Sequence, residues 1–342
     1  MKPEHDYPEE HNGLLRQKNT MNTNNPTLPG LHHVTAITGD AQRNINFYCG
    51  VLGLRLVKLT VNFDDPSSYH LYYGDELGRP GTILTFFAWP GAPRGRVGPP
   101  QVTATAFCVP SEAIDFWVKR LAAQGIDAKL SGNRFGEPVL GFLDPDGMEL
   151  EIISADQSAE LTAKPWLSGP IPADSAIRGL HSVTISERKS ESTSELLTAV
   201  MGYESLGNED NRSRFRAGSR DNGSGLLVDL LLVPEVRHGT LGAGVVHHVA
   251  FRTPDDAQQA AWHKIIAGIG LNVSPVMDRC YFHSIYYREP GGVLFEIATS
   301  NPGFTADQPA AELGRKLMLP PWLEPQRAEI QQAVPPIQLP TV

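Results

Sequence analysis

His33 and His248 stand at the same place in two copies of a repeated unit, and Glu296 closes the second copy. Two imidazoles and one carboxylate form the three-ligand set that holds a divalent iron and leaves coordination positions open for reactants. A single strand histidine is more often a hydrogen-bonded core residue than a ligand. Here two occupy equivalent positions, and Glu296 lies inside the apolar run VLFEIA, where an unpartnered carboxylate is costly to bury. That combination shifts the reading to a metal centre. Arg279, His283 and Tyr286 lie on the segment before the hairpin that carries Glu296, close enough in sequence to hold or move a proton on a reactant oxygen. For each of the three, a surface or packing role is equally open.

The elements that must position these residues come from an internal duplication. LHHVTAITGDAQRNINFYCGVLGLRLV, from Leu31, matches LHSVTISERKSESTSELLTAVMGYESL, from Leu180, and DPDGMELEII, from Asp144, matches REPGGVLFEIA, from Arg288. Each half divides again, giving four units of one plan: a strand, a helix, then strands ending in a Gly turn and a closing strand. The first helix is predicted over Ala41 to Leu52, capped by Asp40 and stopped by Gly53. Fourteen residues after the opening positions His33, Thr103, Ser182 and His248 stand Phe47, Trp117, Leu196 and Trp262, each suited to pack a helix on a sheet. Closing strands are predicted near 82–88, 148–154, 225–233 and 292–299.

At the closing positions stand Phe86, Glu151, Asp229 and Glu296. Pairing the first unit with the second, or the third with the fourth, never joins two histidines. Pairing the first with the fourth joins His33, His248 and Glu296, with Phe86 as an apolar fourth position. The remaining pair holds Thr103, Glu151, Ser182 and Asp229, which lacks imidazole and reads as a spent or structural site held by salt bridges or hydrogen bonds. Neighbouring strand residues point to opposite faces, so the register containing His32, His181 and His247 is the main rival. The His33/His248 register is preferred because each lies seven residues before an acidic helix start, Asp40 and Asp255.

The fold class is therefore α+β: four βαβββ units in two tandem halves, paired curved mixed sheets with helices outside. Boundaries are expected at 1–28 for a polar, disordered N-terminal tail, 29–163 and 176–317 for the halves, 164–175 for a linker and 318–342 for a C-terminal tail. The N-terminal stretch has no apolar signal-peptide core, and Met21 is a candidate natural start. The tail suggests a short helix between prolines, docking on the body or on a second copy in a homodimer.

A chain of 342 residues with 41% hydrophobic and 20% charged residues is ordinary for a globular protein of about two domains. Its net charge of -9 argues against nucleic acid or an anionic membrane as partner and leaves a small molecule. Three cysteines without C-x-x-C spacing suggest free thiols in a reducing cytoplasm, and no apolar segment is long enough to span a bilayer. No phosphate-cradling glycine loop or nucleophile elbow is present.

The chain resembles the vicinal oxygen chelate superfamily, which includes glyoxalase I, extradiol dioxygenases and bleomycin-resistance proteins. LHHVTAITGDAQRNINFYCGVLGLRLVKLTV, YHLYYGDELGRPGTILTFF, GVVHHVAF and REPGGVLFEIATSNPGFTAD look like the hydroquinone ring-cleaving dioxygenases of the 2,6-dichlorohydroquinone dioxygenase type, from about Leu31 to Leu317. The resemblance implies Fe(II), with Mn(II) or another divalent metal as substitutes, held by His33, His248 and Glu296. It also implies supporting roles for Arg279 and Tyr286, and dioxygen and an aromatic molecule as substrates. Two alternatives share the scaffold. A glyoxalase-type isomerase would need a second carboxylate near the metal, where Phe86 is expected. A metal-free binding module would not need the His/His/Glu set.

Overall fold

The computed structural model describes residues 26–155, 163–218 and 223–340. The expected N-terminal tail lies outside the described residues except for 26–28, where Leu28 is buried in the core.

Among the described residues, sixteen strands follow the repeated plan. The first unit supplies β1 (Leu31–Thr38), β2 (Arg55–Asn62), β3 (Asp65–Gly74) and β4 (Ile83–Ala88). The second supplies β5 (Gln101–Pro110), β6 (Lys129–Arg134), β7 (Glu137–Leu143) and β8 (Glu149–Ala155). The third supplies β9 (Leu180–Glu187), β10 (Tyr203–Glu209), β11 (Arg212–Ala217) and β12 (Leu227–Leu232). The fourth supplies β13 (Val246–Thr253), β14 (Met277–Asp278), β15 (His283–Arg288) and β16 (Leu294–Thr299). Each opening strand runs parallel to the closing strand of its own unit, and the two middle strands continue outward.

The units join as the ligand chemistry requires. One curved eight-stranded sheet has the order β14-β15-β16-β13-β1-β4-β3-β2, the fourth unit against the first. The other has the order β10-β11-β12-β9-β5-β8-β7-β6, the third against the second. Each sheet thus draws one unit from each half of the sequence, and its central seam is the antiparallel pair of two opening strands.

The helices α1 (Ala41–Ile45), α2 (Ile114–Ala123), α3 (Glu191–Glu195) and α4 (Asp256–Gly268) follow the opening strands, and Phe47, Trp117, Leu196 and Trp262 are all buried. Asp40 caps α1 through the Arg43 N–H at 3.0 Å, and Asp255 caps α4 through the Gln258 N–H at 2.9 Å. The α1 helix continues as a π-helical turn over Asn46–Val51 and stops at Gly53. There φ is +70°, and a Cβ would come within 2.3 Å of the Ile171 side chain, so only glycine fits. The C-terminal segment forms α5 (Arg327–Ala333) and buries Leu319, Leu323, Ile330 and Val334 against the same core. Among the described residues no helix is long and apolar enough to cross a membrane.

The two hairpin turns that match in sequence settle their buried acids differently. Asp144 accepts the N–H groups of Asp146 and Met148 at 2.8 Å and the Tyr48 hydroxyl at 3.0 Å, and Asp146 pairs with Arg43. In the fourth unit Glu289 accepts the N–H groups of Gly291 and Val293, but it faces Glu187 across Thr193, whose hydroxyl lies 2.8 Å from one carboxyl and 2.6 Å from the other. Burial first, and Glu289 second, push Glu187 up to about 8. The folded chain therefore holds a proton that the unfolded chain releases above a pH of about 4.3. Stability attributable to this pair falls as pH rises from there to about 8, by up to about 1.4 kcal/mol per pH unit. We expect Glu187→Gln to flatten the decline in melting temperature between pH 5 and 8.5; an unchanged profile would show that the pair holds no proton.

Candidate metal centre

The site forms on the seam between β1 and β13. In that ladder His33 lies opposite Ala250 and Thr35 opposite His248, which places the two histidines on one face of the sheet. Glu296 joins them from β16, where it pairs with Ala250. His33 Nε2 and His248 Nε2 lie 3.2 and 2.9 Å from Glu296 Oε2, and 3.4 Å from each other. One donor atom from each residue lies within 4.8 Å of the other two, and all three side chains are buried.

Their surroundings fix which atoms face inward. His32 Nε2 lies 3.1 Å from the carbonyl of Thr299, which can only accept, so that nitrogen carries the hydrogen. Burial first, then His33, lowers His32 to about 3, so it is neutral and its Nδ1 must accept. His33 Nδ1 donates to it at 2.9 Å, which turns His33 Nε2 toward His248 and Glu296. The His247 and His248 Nδ1 atoms repeat that contact at 2.8 Å. Ser284 Oγ donates to Glu296 Oε1 at 2.5 Å, while Oε2, between the imidazoles, accepts no hydrogen bond. Burial opposes charge on Glu296, yet the facing His33 and His248 hold its carboxyl well below the usual range. Burial also lowers His248, favouring the neutral imidazole that a metal needs. Two inward-facing imidazole nitrogens and an unsatisfied buried carboxylate oxygen at these distances fit a divalent cation.

The centre opens into a cavity of about 240 Å³, small for a ligand pocket and sized for one aromatic ring. Phe63, Phe87, Trp89 and Phe282 give it aromatic walls. Two more of the anticipated residues line it. Arg279 Nε donates to Tyr286 Oη at 3.2 Å, and its Nη1 lies 3.2 Å from Asp64 on the β2–β3 turn. Tyr286 pairs with Glu296 across β15 and β16, and its ring centroid is 5.7 Å from that of His248.

His283 does not join them. On β15, Ser284 and Tyr286 face the centre, so His283 points to the other side, where its Nδ1 meets Asp256 of α4 at 2.7 Å. The expectation of a proton-handling role for His283 at the metal is thereby corrected. Phe86 is also displaced: it packs under the sheet on Tyr48 at 4.7 Å. Thr85 holds the position equivalent to Glu296, opposite Thr35 as Glu296 is opposite Ala250. In the second unit Ala104, not Thr103, stands where His248 does, since Ala104 is opposite Thr184 as His248 is opposite Thr35. Sequence reasoning did not single out Ser284, Thr35, His70 or Tyr72. His32 and His247, which the sequence offers as the rival register, instead contact the Nδ1 atoms of His33 and His248.

Paired curved sheets of βαβββ units with a buried His/His/Glu set on the seam define the vicinal oxygen chelate fold with a candidate metal centre. The profile of the Glyoxalase/Bleomycin resistance protein/Dioxygenase superfamily matches residues 30–152. The chain is 46% identical over 311 residues to a Bacillus subtilis protein named as ring-cleaving dioxygenase MhqO, covering 91% of this chain and 97% of that one. It is 36% identical to the chlorohydroquinone/hydroquinone 1,2-dioxygenase of Sphingobium indicum, covering 89% and 95%. A crystal structure of a Bacillus subtilis protein named as a dioxygenase superposes with a TM-score of 0.87 at 45% identity, covering 92% and 99%. The chain belongs to the glyoxalase/bleomycin resistance protein/dioxygenase superfamily.

Proposed function

We propose that this protein is an iron(II)-dependent ring-cleaving dioxygenase that inserts both atoms of dioxygen into a hydroquinone or catechol-type ring. The observation that carries the reading is the buried His33/His248/Glu296 set at the end of a single-ring, aromatic-walled cavity. The names of the relatives support it. Bound there, iron(II) supplies Lewis acidity toward a phenolic oxygen and an electronic link between ring and dioxygen.

The chain's own residues do the rest. Phe63, Phe87, Trp89 and Phe282 hold a ring. Arg279 donates to Tyr286 Oη, and the Tyr286 side chain lines the cavity, where its hydroxyl can bond a substrate oxygen beside the centre. Burial first, then Glu296, raises Tyr286, so it keeps its phenolic hydrogen at working pH. The hydroxyl of Thr85 in place of a carboxylate disfavours an isomerase, which must carry a proton between carbons.

The test is dioxygen uptake by anaerobically iron(II)-loaded protein offered a panel of hydroquinones and catechols. We expect one dioxygen consumed per ring opened, with both labelled oxygen atoms in the product. Metal binding without uptake on any ring would favour the isomerase, and failure to bind metal would favour a binding module.

A further inference from the structure

A second set of polar side chains lines the same cavity away from the three candidate ligands. Thr35 Oγ1 lies 3.0 Å from Thr85 Oγ1, Thr85 Oγ1 lies 2.8 Å from His70 Nε2, and His70 Nδ1 lies 3.0 Å from the Tyr72 hydroxyl. The ladders align them: Thr35 is opposite Thr85 on β1 and β4, and Thr85 is opposite Tyr72 on β4 and β3. Thr35 also lies directly across the seam from His248. Thr35, His70 and Tyr72 border the cavity, whereas Thr85 is fully buried among them.

Hydrogen-bond chemistry gives this chain only two states. Thr85 and Tyr72 can each donate or accept, so a neutral His70 ring, with one nitrogen donating and the other accepting, completes the chain in either direction. If Tyr72 donates to His70 Nδ1, then Nε2 donates to Thr85, Thr85 donates to Thr35, and the Thr35 hydrogen faces the cavity. In the opposite state the Tyr72 hydrogen faces the cavity and Thr35 presents a lone pair. A proton accepted at one end therefore releases one at the other, and His70 changes tautomer without gaining charge.

We propose that Thr35, Thr85, His70 and Tyr72 form a proton relay that takes the hydroxyl proton of a phenolic substrate beside His248 and delivers one to water beside Tyr72. The substrate O–H bond breaks as the Thr35 O–H bond forms. The hydrogens of Thr35, Thr85, His70 Nδ1 and Tyr72 each move one place, and water receives the last. No electron is transferred and no side chain is left ionised. The inference rests on the proposed reading of a phenolic substrate.

The test has two arms. In zinc(II)-loaded protein labelled with 15N-histidine, with His70 assigned through His70→Phe, addition of hydroquinone should invert the His70 tautomer; Thr85→Val should abolish the inversion and Thr85→Ser retain it. In iron(II)-loaded protein, Thr85→Val and His70→Phe should each lower kcat about 100-fold with metal content and KM within twofold of wild type. Thr85→Ser should recover most of the rate, and the double variant should be no slower than the worse single one. An unmoved His70 tautomer, a Thr85→Val enzyme at wild-type rate, or multiplicative losses would overturn the relay. If wild type consumes no dioxygen with any ring, the dioxygenase reading fails instead, and the tautomer arm alone decides the relay.

Discussion

Glu296→Gln should remove tightly held divalent metal and lower turnover by at least about 10³-fold, the scale expected when the only anionic ligand of a catalytic metal is lost. The substitution preserves shape, and Gln can still accept from Ser284, so the β15–β16 hairpin should keep its place. What disappears is the charge that two buried imidazoles face at 3.2 and 2.9 Å. Because the facing imidazoles hold the Glu296 carboxyl in its charged form, metal-free Glu296→Gln should lose some stability relative to metal-free wild type. Wild type alone should gain melting temperature on adding metal, since binding to the folded state stabilises it by mass action. Ser284→Ala should give a milder change, about 10- to 100-fold in metal affinity, because it frees the carboxylate to rotate without removing it. Metal analysis with melting curves in chelator and in added metal decides the point. A Glu296→Gln protein that keeps one equivalent of metal and its thermal response would place the centre elsewhere.

The triad is legible in the sequence because duplication compares the chain with itself. His33 and His248 recur at one unit position, and only joining the first unit to the fourth brings both to one carboxylate; the sheet order has that arrangement. Strand phase is not legible in the same way. A slip of one residue moves a side chain to the opposite face, and three anticipated positions failed for that reason. Phe86 gave way to Thr85, His283 pointed toward α4 while Ser284 faced the centre, and Thr103 gave way to Ala104 beside a register shift. His70 and Tyr72 were missed for another reason: they reach the cavity only through the β3–β4–β1 ladder, and no local pattern predicts such cross-strand neighbours. The partners of Glu151 and Asp229 were equally hidden, although a salt bridge or hydrogen bonds were anticipated at both.

Those partners lead to the second large expectation. In the other sheet, Ser182 and Ala104 stand where His33 and His248 do, and Asp229 and Glu151 stand in the place of Glu296. Arginines meet these carboxylates. Arg134 binds Glu151 through two nitrogens at 2.7 and 2.6 Å. Arg214 reaches Asp229 at 2.8 and 3.1 Å and Glu137 at 2.5 Å, while Arg212 contributes a 3.2 Å contact to Asp229. Asp229 is fully buried and Arg214 is 3% exposed, so breaking this pair from one side leaves a charge in the core. Arg214→Met should therefore cost about 3 kcal/mol, the lower end for a broken buried pair because Arg212 remains. Removing both charges, as in Arg214→Met with Asp229→Leu, should restore part of that loss, since no unpaired charge then stays in the fully buried position, although Glu137 and Arg212 each lose one contact. Metal content and turnover should stay at wild-type values in the folded fraction, because the triad belongs to the other sheet. Denaturant unfolding of the two variants beside metal analysis gives the answer. A single variant as stable as wild type would mean that the guanidinium contributes nothing to holding Asp229, whereas lost metal would mean that the two sheets are coupled through the core.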